Sequence, residues 1–207
     1  MADRTALRVL PVAAVALVVA ALAAGASGPA RAGASGPPPT IEVKPDSQGA
    51  SGEVRASIEI AAPPAEVWTV LIDCAAVPRL MVNVHSCRVL DRDPAGRWDV
   101  REHVTNASLL PAVRTVLRSD YDAPHSLRFH RIEGDFRVLE GSWTLEPLDG
   151  GTRTRVTYES RMTAPFAVPN FIVRAVLRRD LPQTLVNLRT ACEARRAAEP
   201  RVVAAAR

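Results

Sequence analysis

The chain has 207 residues, 47% of them hydrophobic and only 4% aromatic, which is enough for one ordinary domain with a real core plus tails. Its formal charge of +4 comes from 26 Lys and Arg against 22 Asp and Glu, and Lys44 is the only lysine. Arg4, Arg8 and Arg31 against Asp3 place +2 of that charge in residues 1–34, and no basic run carries interleaved aromatics, so composition speaks against nucleic-acid binding.

Residues 1–34 read as an export signal. Arg4 and Arg8 precede the apolar run Val9 to Ala24, and small-residue A-x-A sites follow at 24–26, 30–32 and 32–34. The pattern predicts cleavage and a periplasmic protein. The alternative is an uncleaved membrane anchor, because no charge falls between Arg8 and Arg31. Residues 35–52, rich in Gly, Ser and Pro, read as a flexible linker, and the folded domain is expected over 53–198 with a frayed tail at 199–207.

Val54, Ala56, Ile58 and Ile60 alternate with Arg55, Ser57 and Glu59, which predicts a half-buried strand over Glu53 to Ala61. Pro63 and Pro64 stop it and suit a first helical turn, where a missing N–H costs nothing. Val67, Trp68, Val70 and Leu71 then mark the apolar side of a helix ending near Asp73, and Val77-Pro78 opens a second short one through Met81. From His85 the period changes to two. Strands are expected at His85–Asp91, Arg97–Asn106, Val113–Tyr121, Ser126–Ile132, Phe136–Leu145 and Arg153–Met162, joined by short turns such as "DRDPAG", "LLPA" and "LDGG". Six such strands in succession make an antiparallel meander. A long helix follows, Phe171 to Arg196, with Leu177, Leu181, Leu185, Leu188 and Cys192 on one face. Pro182 inside it predicts a kink, or a restart capped by Asp180.

Seven strands and one long helix leave a geometric problem. A single helix cannot fill the concavity of so wide a sheet, so an internal cavity is expected, and such cavities take small molecules. The three cysteines allow one disulfide, with Cys74 and Cys87 the nearer pair, or three small buried side chains. No metal-ligand spacing occurs, and no cofactor is expected.

The segments "IEIAAPPAEVWTVLIDCAAVPRLMVNVHSCRVLDRD" at 58–93, "LEGSWTLEPLDGGTRTRVTYE" at 139–159 and "RRDLPQTLVNLRTACE" at 178–193 resemble the START-like (SRPBCC) superfamily, in its polyketide cyclase/dehydrase and coenzyme Q-binding branch. That resemblance implies an α+β helix-grip fold: a seven-stranded curved antiparallel sheet around a long C-terminal helix, with two short helices closing one end. It further implies a hydrophobic ligand such as a lipid, quinone or polyketide-like compound. The export signal distinguishes this chain from cytoplasmic and mitochondrial members.

Strand parity nominates the cavity wall: Trp98 and Glu102 on one strand, Leu117 and Tyr121 on the next, then Trp143 and Tyr158, with Phe171 and Leu181 from the helix. Glu102 is the one candidate acid or base if it faces inward; its alternative is an outward carboxylate paired with an arginine such as Arg114 or Arg131. His103 and His130 read as solvent-facing, and no nucleophile–base arrangement follows from spacing. Gly141 reads as a place where the helix or a ligand approaches the backbone. Arg174, Arg178 and Arg179 beside apolar residues read either as a solvated face or as a transient contact with an anionic membrane. Three functions remain: a non-catalytic binder or carrier, a cyclase/dehydrase-type enzyme, or an envelope interaction module with a filled core.

Overall fold

A computed structural model describes residues 36–45, 52–106, 112–164 and 169–198, all within the compact unit Ala34–Arg207. The expected signal segment, the "LLPA" turn, most of the Pro165–Pro169 loop and the C-terminal tail lie outside the described residues.

The elements are β1 (Thr40–Lys44), β2 (Gly52–Ile60), α1 (Pro64–Leu71), α2 (Val77–Leu80), β3 (Val84–Arg92), β4 (Trp98–Thr105), β5 (Val113–Asp122), β6 (Ser126–Gly134), β7 (Val138–Leu148), a single 3-10 turn at Asp149–Gly151, β8 (Arg153–Thr163) and α3 (Asn170–Ala198). The eight strands form one antiparallel sheet in the order β1-β2-β8-β7-β6-β5-β4-β3. It is the helix-grip architecture with one strand more than expected. The extra strand, β1, lies within the supposed linker and pairs along β2 from Thr40–Ser57 to Lys44–Glu53.

Local chemistry explains each joint. In β2, Val54, Ala56, Ile58 and Ile60 are buried in strict alternation. Pro63 caps α1 in extended conformation and Pro64 occupies its first turn, so the chain turns a corner without wasting a donor. Trp68 on the inner side of α1 meets Tyr121 of β5 edge-to-face, with ring centroids 5.6 Å apart. The α2–β3 turn is tied to α3 three times: Val82 N donates to Thr184 Oγ1 (3.2 Å), Asn83 Nδ2 to Asp180 Oδ2 (2.8 Å) and Asn187 Nδ2 to the Leu80 carbonyl (3.1 Å).

α3 runs as one helix through Pro182, so no restart at Asp180 occurs; that carboxylate serves Asn83 and Arg179 instead. Its buried side, Leu181, Leu185, Leu188 and Cys192, matches the expected stripe. Two arginines of α3 hold the added N-terminal strand. Arg178 Nη2 donates to the Val43 carbonyl (3.2 Å), and the buried Arg189 donates to the Pro37 carbonyl (2.7 Å). Of the expected basic stripe, Arg178 is therefore a backbone tie and Arg179 pairs with Asp180.

Cys74 and Cys87 form a disulfide that joins the α1–α2 connection to β3, while Cys192 is a buried free thiol whose pKa burial pushes up to about 12. The bridge closes a separation of 13 residues, which in the chain-entropy account stabilises by about 3 kcal/mol. Replacing both cysteines by serine is expected to lower the free energy of urea unfolding by that amount, with reductant then having no further effect on the variant.

What approaches Gly141 on β7 is the sheet itself, not the helix. A Cβ there would lie 2.1 Å from the Glu159 carbonyl oxygen and 2.7 Å from Phe129 Cζ, because β6 and β8 close in on both sides. Gly141→Ala must displace backbone rather than a flexible side chain, so it should cost about 3 kcal/mol, read as a fall in the denaturation midpoint without loss of cooperativity.

Candidate functional site

The site is built by the register of β4 and β5. Arg101 lies opposite Leu117 and His103 opposite Thr115, and residues paired across antiparallel strands share a face. The inward set on β5 is Thr115, Leu117, Ser119 and Tyr121, which forces Asp99, Arg101, His103 and Thr105 inward on β4. Here the expectation is overturned. Trp98, Val100, Glu102 and Val104 share a face, but it is the outer one.

Between this wall and α3 lies a cavity of about 350 Å³. Phe129, Leu139, Trp143 and Tyr158 continue its sheet side; Val173, Val176, Leu177 and Leu181 supply the helix side; Leu71, Val77 and Met81 close it at the lid. The lining is mainly apolar. Trp143 and Tyr158 have ring centroids 4.5 Å apart, and Phe129 stacks on Tyr158 at 6.1 Å, so these three rings make one aromatic floor. Burial raises the Tyr158 pKa above its ordinary value.

One end of the cavity is polar and internally paired. Arg101 Nε donates to both carboxylate oxygens of Asp99 (3.0 and 3.2 Å), and Nη2 bonds Asp99 again, the Tyr121 hydroxyl (2.6 Å) and the Ile72 carbonyl (3.2 Å). Both partners of this ion pair are buried. The guanidinium therefore links β4 and β5 to the end of α1, and removing one member would leave the other charge buried without its partner. Desolvation pushes the Tyr121 hydroxyl well above its usual range although Arg101 pulls the other way, so the phenol stays protonated.

His103 and Thr115 lie next along the wall. His103 is 9% exposed and Thr115 2%. Burial, then the Arg101 charge, depress the His103 pKa from its ordinary 6.5 to about 4, so the imidazole is neutral at physiological pH. Reading His103 as solvent-facing therefore fails with the β4 parity; His130 is exposed as expected.

Of the residues nominated from sequence, Leu117, Tyr121, Trp143, Tyr158 and Leu181 line the cavity together. Trp98 does not: its ring lies on the outer face beneath the Arg118 guanidinium, 4.5 Å from the centroid. Glu102 does not either. Its carboxylate accepts from Arg114 Nε (2.5 Å) and Arg88 Nη2 (3.2 Å), and the Arg114 bond in particular holds its pKa below the usual carboxylate range. It is ionised and faces away from the cavity. Phe171 is 65% exposed, near the helix start, and outside the cavity wall. Parity already sets Thr115 and Ser119 on the face of Leu117 and Tyr121; the polar residues it missed, Arg101 and His103 on β4, had one available signal, since β5's inward set carries hydroxyls and register extends that polarity to β4. Among the described residues no cluster of three or more His, Cys, Asp or Glu side chains is placed to hold a metal.

A model of the family described as polyketide cyclase / dehydrase and lipid transport matches residues 60–189. The chain belongs to this family. No curated protein matches it in sequence. Among solved structures, a protein of Thermus thermophilus is 26% identical, covering 70% of this chain and 97% of its own, with a TM-score of 0.57. A STAR-related lipid transfer protein of Xanthomonas axonopodis is 18% identical over 77% of this chain and 96% of its own, TM-score 0.65. An aromatase/cyclase of a Streptomyces species is 18% identical over 70% of this chain and 96% of its own, TM-score 0.62. The last two share the fold of this START-like domain.

The neutral His103 makes a pH signature. Its folded pKa of about 4 lies below the unfolded value near 6.5, so the unfolded chain binds the proton more readily in between. The fold is fully favoured above pH 6.5 and loses on the order of 3 kcal/mol as pH falls from 6.5 to 4. In His103→Gln that acid loss should shrink by this amount, read from urea midpoints at several pH values. Parallel curves for the two proteins would show that the imidazole is not held neutral by burial.

Proposed function

We propose that the domain binds a single hydrophobic small molecule between sheet and α3 and carries it without chemical change, as an exported protein. The carrying observation is the apolar cavity of about 350 Å³, whose walls come from every layer of the fold. That volume falls in the range typical of small-molecule sites. Apolar groups seated against these walls contribute about 0.8 kcal/mol per buried CH₂, so affinity can come from the lining without charged contacts.

Solved neighbours include both a lipid-transfer protein and an aromatase/cyclase. Two features of this chain favour carriage over catalysis. The candidate carboxylate Glu102 points out and is fully paired, and the cavity imidazole, with a pKa of about 4, is a weak proton acceptor. Exchange fits the helix side. Phe171, Ile172 and Val176 are exposed on α3, and Ile172, Val173 and Val176 line the cavity, so transient contact with a membrane surface there would give a ligand a short apolar path.

The test is denaturing organic extraction of protein purified from the periplasm of its own host, followed by mass spectrometry, with Nile red titration of the extracted and refolded chain. A stoichiometric hydrophobic species is expected in the wild type. Leu181→Trp and, from the sheet side, Leu139→Trp fill the cavity and should each lower Nile red affinity at least about tenfold, the loss of one to two kcal/mol of apolar contact. Folded wild-type protein that yields no such species and takes up no Nile red would overturn the reading.

A further inference from the structure

Two polar atoms in this cavity stand out against the fully paired Arg101 cluster. His103 Nε2 and Thr115 Oγ1 are both buried, and neither finds a hydrogen-bond partner among the described residues. They are not scattered. His103 and Thr115 are register partners on β4 and β5, both side chains line the cavity, and both are more than nine-tenths buried. Buried hydroxyls and imidazoles are normally hydrogen-bonded, and an unpaired one is costly in a packed interior. Two adjacent ones, on residues that line a ligand-sized space, mark where a bound molecule supplies the missing partner.

We propose that His103 and Thr115 form the polar subsite of this cavity, and that the molecule it takes is an uncharged hydrophobic alcohol whose hydroxyl is held between them. The inference rests on the ligand-binding reading above and adds to it the chemical class of ligand.

The donor and acceptor inventory selects the hydroxyl. A neutral imidazole presents either a donor or an acceptor at Nε2, according to its tautomer, and the threonine hydroxyl rotates to offer the complement. A hydroxyl both donates and accepts, so one such group satisfies both side chains in either tautomer. A carboxylate only accepts, and its charge would need a cation. Among the described lining residues the one cation is Arg101, already committed to Asp99, Tyr121 and the Ile72 carbonyl, while Asp180 adds a negative group from the helix side. A bare hydrocarbon would fill the apolar part and leave both atoms unpaired.

The experiment uses a matched set of probes, naphthalene, 2-naphthol and 2-naphthoate, competing with Nile red for the full chain after extraction of any bound species. Thr115→Val removes the hydroxyl at nearly constant shape, Thr115→Ser keeps it, and His103→Phe removes the imidazole's hydrogen bonding. Wild type and Thr115→Ser should favour 2-naphthol over naphthalene. In Thr115→Val and His103→Phe the 2-naphthol-to-naphthalene affinity ratio should fall about tenfold, with naphthalene affinity little changed. An unchanged ratio in both variants, with Nile red still bound, overturns the subsite while cavity binding stands. Naphthoate binding as tightly as 2-naphthol overturns the uncharged class. Folded wild type that binds no Nile red overturns both the subsite and the reading beneath it.

Discussion

One helix has to cover eight strands, and it cannot. α3 makes its principal contacts with β1 and β2 at one side of the sheet and with α1 and α2 at one end. The inner faces of β4, β5, β6 and the near part of β7 are left to curve around a space instead of being sealed by a second helix. The rest of the architecture follows from that shortfall. The Pro63-Pro64 corner brings α1 and α2 across the open end, the disulfide fixes their connection to β3, and Thr184, Asp180 and Asn187 hold the α2–β3 turn against α3. Each is a short tie at the rim of the cavity, and none fills it.

Within the space, polar groups divide into two kinds. Arg101, Asp99, Tyr121 and the Ile72 carbonyl satisfy one another. A buried ion pair adds little net stability over apolar packing, because its attraction mainly offsets the desolvation of both charges. Its physical effect here is positional. The guanidinium reaches from β4 to the end of α1, so the lid and the wall are held in one arrangement, with Trp68 against Tyr121 reinforcing it. His103 and Thr115 are the other kind, cavity-lining residues whose Nε2 and Oγ1 have no hydrogen-bond partner among the described residues.

Much of this fold was legible before any coordinates. Strand period two in β3 to β8, the proline corner and the Leu-rich side of α3 each depend on short-range pattern, and each element was found within a few residues of its expected span. β1 was not found, because Thr-Ile-Glu-Val-Lys is only five residues long, stands between "GPPP" and a Pro-Asp-Ser-Gln-Gly run, and buries only Val43 fully. Its alternation was visible, but composition outweighed it. The restart at Asp180 also failed: local rules register the hydrogen bond lost at Pro182, while the tertiary contacts of Leu181, Leu185 and Leu188 carry the helix through. Nearness along the chain picks Cys74 and Cys87 out of three cysteines, and that is the pair joined; what the sequence leaves open is whether a bridge forms at all, which depends on α1–α2 and β3 lying side by side.

The face of β4 is the most informative failure. Trp98, Val100 and Val104 look like a core stripe, yet apolar residues outside cost little, and Arg118 covers Trp98. The decisive constraint is nonlocal. β5 must turn Leu117 and Tyr121 inward, and pairing then carries Arg101 and His103 to the same side. A strand whose buried face is polar violates the binary pattern that folding alone would favour, and such violations concentrate where a protein meets something other than itself. On β4, the polar residues of this cavity, Arg101 and His103, are thus the ones hydrophobic periodicity assigns to solvent. In this sheet the apolar strands report the fold, and β4, the strand that breaks their rule, reports where the cavity is polar.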